Sequence, residues 1–314
     1  MSTFKQAIKI SGHGIHSGAP VHMTIHPSDA PGIFFVRTDI PGGEKIPATF
    51  DNVGDTSLRN TTVGNRDGAH VQTVEHLMAA LFLMGVDRAV IEIDGPETPI
   101  LDGSAAGFLD AFARAGIVGG TMRSIVVKRE IVAHQRELIK KLPWRARLML
   151  GLHNLMMGRR SNGYVRLSPN DGGALTVRAT LVYPEKIIGS QTYQYRFAGD
   201  DASVDTFVAD IARARTFGKY SEWEYLKARH MARGANETNV IALNNAGDGT
   251  LNPLIWPDEF VRHKIIDAIG DMFTSGGFIQ GDLVSYKGSH ALNNLVLKKL
   301  FSDRANYDII EPTR

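Results

Sequence analysis

Residues 258–273 read DEFVRHKIIDAIGDMF, and the rest of the chain is organised around what this stretch does. Wound as a helix at about 100° per residue, His263, Lys264, Asp267 and Asp271 fall within one arc of roughly 100°. Val261, Ile265, Ala268, Ile269, Met272 and Phe273 cover the far side, with Ile266 beside them. Two readings fit this pattern. In one, an amphipathic helix carries His263 and Asp267 as an ordinary solvated i,i+4 pair. In the other the two side chains are ligands of a single metal ion. One helical turn brings a ring nitrogen and a carboxylate oxygen within reach of an ion about 2.0–2.2 Å from each.

The same architecture occurs earlier. TVEHLMAALFLM, residues 73–84, is a strongly apolar helix closed by Gly85, with Thr73 as its expected N-cap and Glu75 and His76 in its first turn. AVIEI then reads as a strand, GPETPILDGS as a loop, and AAGFLDAFARAG as a second helix stopped at Gly116. After 258–273 the order returns: GDLVSY a strand, KGSH a loop, ALNNLVLKKLF a helix. The spans His76 to Ser104 and His263 to His290 are nearly equal, so the repeat rests on pattern and spacing. The expected fold is α+β: two similar two-layer α/β sandwich domains, each sheet covered by a helix pair. The expected boundary lies in IVGGTMR, giving domains 1–120 and 121–314. Strands are expected in SIVVKREIV, GYVRLSP, ALTVRATLVYP and QTYQYRF, and the N-terminal KQAIKISG, VHMTIHP and GIFFVRT read as a meander. Residues 47–71 read as short strands and loop. The two histidines of HGIHSG read as turn residues held by backbone hydrogen bonds.

Composition narrows the chemistry. Thirty-five basic and 33 acidic residues leave a net charge of +2, so no global field favours nucleic acid. With no cysteine, disulfides, thiolate nucleophiles and Cys-type zinc fingers are excluded, and any metal must use histidine and carboxylate. No signal-like or membrane-spanning apolar run is evident, so a cytoplasmic protein is expected. The unusual stretch is 133–163. Arg136, Lys140, Lys141, Arg145, Arg147, Arg159 and Arg160 face the single Glu137 there, interleaved with Leu138, Ile139, Leu142, Trp144 and further apolar residues. A basic amphipathic helix pair that docks on a membrane surface or a partner fits this composition. So does an ordinary helical insertion with a solvated basic face.

Adjacent helical residues point about 100° apart, so Glu75 and His76 do not easily share one ion. His76, His263 and Asp267 would form a His₂Asp set with an open fourth position, the catalytic rather than the structural arrangement. Glu75 would then take a proton from the attacking water. The same donor set also holds non-haem iron, so residue types leave zinc and iron open. His290, where the second loop meets its helix, is the natural general acid, and Asp271 could hold it charged. Lys264 supplies positive charge for a developing oxyanion. Thr216, in ARTFG, contributes a hydroxyl.

The stretches HGIHSG, TVEHLMAAL, ILDGSAAGF, ARARTFG, EYL, EFVRHKIIDAIGD and HALNN, in this order, resemble the UDP-3-O-acyl-N-acetylglucosamine deacetylase family, zinc hydrolases that commit carbohydrate to lipid A. The resemblance covers most of 11–118 and 210–301. It implies two α/β sandwiches with the active site between them, and Zn²⁺ held by His76, His263 and Asp267. It further implies Glu75 as general base, His290 as general acid with Asp271 as its partner, and Lys264 and Thr216 steadying the oxyanion. Phe217 matches a residue lining the sugar site, and the substrate implied is a UDP-sugar lipid precursor. Three departures stand out. Gly288-Ser289 precedes His290 where the family reads Ser-Gly. The insert at 217–241, which lines an acyl passage in the family, carries Lys219, Trp223, His230 and Arg233, with charge at positions usually apolar. Residues 133–163 have no counterpart in the family, and peripheral contact with the inner membrane is the expectation they raise. The polar insert keeps a second reading open: a deacetylase for another N-acetylated amino sugar with a short or absent acyl chain.

Overall fold

The computed structural model describes residues 2–54, 60–147, 149, 162–228 and 232–312. Its architecture is mixed α/β, with a five-stranded and a seven-stranded sheet as the two main layers.

The five-stranded sheet runs Ile8–His13, Pro20–Pro27, Arg88–Ile93, Gly32–Arg37, Ile46–Pro47 in spatial order. Strict alternation in Pro20–Pro27 buries Val21, Met23 and Ile25 on one face. The expected meander is corrected at its third strand. Gly32–Arg37 does not pair with Pro20–Pro27; Arg88–Ile93 inserts between them, antiparallel to one and parallel to the other. Alternation reports which face of a strand is buried, and it carries no information about which strand lies alongside. The chain crosses over through helix α1 (Glu75–Leu83), and α2 (Ala106–Ala115) covers the sheet beside it. Gly116 closes α2 at φ 68 and Gly85 follows α1 at φ 69, left-handed positions that glycine takes without strain. Ser2–Phe4 pairs with Ile117–Gly119.

In the second half the nine-residue strand Phe278–Tyr286 is the shared centre, pairing with Ser124–Val127, Tyr164–Ser168 and Leu175–Val182. SIVVKREIV is therefore not one strand. It breaks into Ser124–Val127 and Ile131–His134, which occupy separate places in the sheet. A short helix, α3 (Gln135–Lys141), leaves that edge, and α4 (Asp201–Asp210) follows the outermost hairpin. The strand Phe217–Lys219, helix α5 (Tyr220–Lys227) and the parallel strand Ile241–Leu243 form a small crossover unit. Then come α6 (Glu259–Phe273) and α7 (His290–Phe301), flanking Phe278–Tyr286 as α1 and α2 flank Arg88–Ile93.

Of the insert at 133–163, residues 148 and 150–161 lie outside the described residues. Its described part begins with a His134–Glu137 capping box. Lys299 of α7 reaches Glu137 Oε1 at 2.8 Å and the Val132 carbonyl at 2.7 Å, tying α3 to the domain. Beyond it Trp144 is 62% and Met149 71% exposed.

The two halves meet along α1 and α6. All nine residues of α1 are buried, and Phe82 packs on Phe197, Phe273 and Phe278 of the second half. A Cβ at Gly270 would stand 1.9 Å from the Glu75 carbonyl oxygen, so the two helix backbones touch there and only glycine fits. That contact sets how close the polar stripes of α1 and α6 come.

Candidate active site

The stripe on α6 does not face water. His263 is 2% and Asp267 4% exposed, and of the first four turns only Arg262 and Lys264 are more than marginally accessible. The solvated-pair reading is thereby excluded. His263 Nε2 lies 3.4 Å from Asp267 Oδ1, and His76 Nε2, from the first turn of α1, lies 3.6 Å from the same oxygen. The three donor atoms fall within 4.8 Å of one another, and the two imidazoles meet edge to face at 4.9 Å. Ligands 2.0–2.1 Å from one tetrahedral ion stand about 3.3–3.4 Å apart, so this set fits a metal. Local chemistry agrees. His263 Nδ1 donates to the Ala214 carbonyl at 3.0 Å, which leaves the Nε2 lone pair directed at the cluster. Burial drives the His263 pKa down to about 3, keeping the ring neutral. Asp267 is ionised: burial opposes this, but the Lys264 charge beside it outweighs the penalty and holds the carboxyl well below its usual range. Its second oxygen, Oδ2, accepts from Lys264 Nζ at 2.7 Å, so the carboxylate bridges the cluster and the lysine.

Glu75 lies beside this cluster, its Oε2 accepting from the Thr61 backbone N–H at 2.9 Å. Burial raises its pKa, opposed by His290 and His76. His290 opens α7 and is likewise buried; Nδ1 donates to Asp271 Oδ2 at 2.8 Å. Burial would discharge the ring, but Asp271, then Glu75 and Asp267, outweigh it and push its pKa up to about 9. Its Nε2 points toward the cluster, 4.0 Å from Asp267 Oδ2. A proton acceptor and a charged proton donor therefore flank one candidate metal centre.

The remaining expected residues are distributed unevenly. Phe217 packs on Phe260 at 5.1 Å and stands 6.3 Å from the His263 ring, with Lys264 Nζ 5.9 Å from its centroid. Thr216, just before it, is fixed by its backbone, donating to Gly103 O at 2.9 Å and accepting from Ile241 N at 2.8 Å. Lys219 forms an ion pair with Glu185. Trp223 packs with Ile15 and Leu226 around Ala232, Ala235 and Val240. Arg233 is exposed, its N–H bonded to the His16 carbonyl at 3.1 Å. His230 lies outside the described residues. Of the two histidines expected in the HGIHSG turn, His16 lies there, with the Glu97 carboxylate accepting the His16 and Ser17 N–H groups. His13 instead ends the strand Ile8–His13 opposite Pro20, because the ladder runs one residue further than the polar sequence suggests.

Two further local details differ from expectation. Thr73 does not cap α1: the helix starts after Val74, while Thr73 sits at φ 60 and gives its hydroxyl to Glu97. The Gly288-Ser289 order is explained by space and capping. A Cβ at Gly288 would stand 1.9 Å from Ser285 Oγ, and Ser289 accepts from Leu292 N as the N-cap of α7. Sequence reasoning missed Thr61 and Asn293. Thr61 Oγ1 donates to Asp271 Oδ1, and Asn293 Nδ2 donates to Asp271 Oδ2 at 2.8 Å. Asn293 had a usable signal, one helical turn after His290 on the same face. Thr61 had none, lying in a polar stretch without periodicity.

A family profile described as UDP-3-O-acyl N-acetylglycosamine deacetylase matches residues 1–302. The chain belongs to this family. Among its relatives, a Neisseria meningitidis serogroup C protein is 36% identical over 314 residues, covering 98% of this chain and 92% of the relative. A Myxococcus xanthus protein is 38% identical, covering 99% and 90% respectively. A Shewanella baltica protein is 35% identical over 98% of the chain. All three are named UDP-3-O-acyl-N-acetylglucosamine deacetylase. Family membership across nearly the whole chain agrees with the α+β architecture and with a candidate metal site at His76, His263 and Asp267.

Proposed function

We propose that this chain is a metal-dependent amidohydrolase. It removes the acetyl group from the 2-acetamide of UDP-3-O-(3-hydroxyacyl)-N-acetylglucosamine, an early committed step of lipid A synthesis. The observation that carries this is the buried His76, His263 and Asp267 cluster flanked by Glu75 and His290, in a chain of the deacetylase family. The rival reading, another acetylated amino sugar with a short or absent acyl chain, is not favoured, because relatives matching over nearly the full chain are named for the acylated substrate.

Zn²⁺ is the metal proposed for His76, His263 and Asp267; when bound it supplies Lewis acidity toward water and the acetamide carbonyl. Glu75 takes the proton from the attacking water. Lys264 and Thr216 steady the oxyanion; the lysine has three donors, and Asp267 engages one of them. His290, kept protonated by Asp271, delivers a proton from Nε2 to the departing amine nitrogen. Phe217, Lys219, Trp223, His230 and Arg233 are assigned to substrate binding along the crossover unit. Residues 1–120 and 121–314 are assigned as the two domains, each contributing half of the site. No helix among the described residues is long and apolar enough to cross a membrane. The reaction is assigned to the cytoplasm, with residues 133–163 making peripheral contact with the inner membrane. Exposed Trp144 beside Lys140, Lys141, Arg145 and Arg147 supports that contact. Equal pelleting of wild type and Trp144→Glu with anionic vesicles would remove it.

The test is acetate release from the acylated UDP-sugar, measured together with metal content. Chelation is expected to abolish turnover and Zn²⁺ to restore it. Full turnover by metal-free protein would overturn the mechanism.

A further inference from the structure

We infer that Thr61 is a positioning residue that places the proton acceptor and the proton donor together; the inference rests on the deacetylase reading above. Thr61 is buried and contacts both groups. Its backbone N–H donates to Glu75 Oε2 at 2.9 Å. Its hydroxyl donates to Asp271 Oδ1 and stands 3.2 Å from His290 Nδ1.

The hydroxyl has one proton. Spent on Asp271, it leaves only lone pairs facing His290, and Asp271 Oδ2 faces the same nitrogen as a second acceptor. Both neighbours of Nδ1 are thus acceptors, so Nδ1 keeps its hydrogen in either charge state of the ring. The exchangeable proton is confined to Nε2, the end directed at the metal cluster. Asn293 completes the cradle by donating to Asp271 Oδ2 at 2.8 Å, so the carboxylate that orients His290 is held at both oxygens. Removing the hydroxyl frees Asp271 Oδ1 and lets the carboxylate rotate, while the N–H to Glu75 stays. The expected damage falls on proton delivery, with substrate binding and metal retention spared.

Thr61→Val keeps the shape and removes the hydroxyl; Thr61→Ser keeps the hydroxyl and removes a methyl. Thr61→Val is expected to lower kcat by about 10–100-fold, with KM within about threefold of wild type and bound metal and Tm unchanged. Thr61→Ser is expected to return kcat to within about threefold of wild type. A Thr61→Val enzyme with wild-type kcat overturns the inference, and so does a serine variant no better than valine, or loss of metal in the valine variant. Wild-type protein that releases no acetate would instead refute the functional reading, so the two failures are distinguishable.

Discussion

Burial assigns different work to chemically similar side chains. His263 and His290 are both nearly inaccessible, yet one has its pKa pushed down to about 3 and the other up to about 9. The difference is the Asp271 carboxylate against His290 Nδ1, where His263 has the neutral Ala214 carbonyl. A neutral imidazole suits a metal ligand and a charged one suits an acid. Replacing Glu75 or His290 with alanine is expected to lower kcat by about 10²–10⁴-fold with metal retained, whereas His263→Ala should release the metal. Retained turnover in both of the first two variants would remove the acid–base assignment. The pH profile follows from signs. His290 must carry its proton, so activity falls as pH rises through about 9; Glu75 must be ionised, and its raised pKa lifts the acidic limb above the ordinary carboxylate range. Asp271→Asn removes the largest charge sustaining the imidazolium and should move the alkaline limb to lower pH. A limb that stays in place would show that another group sets it.

Helices α1 and α6 carry this chemistry because they are packed more tightly than side chains normally allow. Their contact at Gly270 puts helix backbone against helix backbone. Gly270→Ala forces the helices apart and should destabilise the fold by about 1–3 kcal/mol or more, while drawing His76 away from His263 and Asp267. Urea unfolding and metal retention on dialysis measure the two effects; an unchanged midpoint with full metal content would show that the helices have room to separate. The helical periods of α1, α2, α6 and α7 were legible because each is long, apolar and bounded by a glycine or a polar cap. Helix α4 was not foreseen, although Asp200 accepting from Ser203 N is an N-cap visible in DDAS. The split of SIVVKREIV and the place of Arg88–Ile93 in the sheet were not legible, since both depend on partners distant in the chain.

The cluster joins the two halves of the molecule. His76 comes from the first, His263 and Asp267 from the second. A ligand bound only by the native state stabilises it by about 4 kcal/mol at 1,000 times its Kd, on the order of 10 °C in Tm for a chain this size. Removing metal from the wild type should lower Tm by about that much, and Asp267→Ala should show no such difference. A chelator-insensitive wild-type Tm would mean that the halves are held by packing alone.

From sequence came the elements with local signatures: helical stripes, strand alternation, glycine stops, and the i,i+4 pairing of His263 with Asp267. These are set within one or two turns of chain; the repeat of pattern and spacing added His76, Glu75 and His290 as candidates, and resemblance to family motifs agreed with them and selected zinc over iron. Folding settled what depends on long-range approach. It buried the α6 stripe, brought α1 onto it at Gly270, and placed Thr61 against Asp271 across 210 residues of sequence. A hydrogen bond of that kind leaves no periodic trace, because neither partner's neighbours in the chain constrain where the other will be.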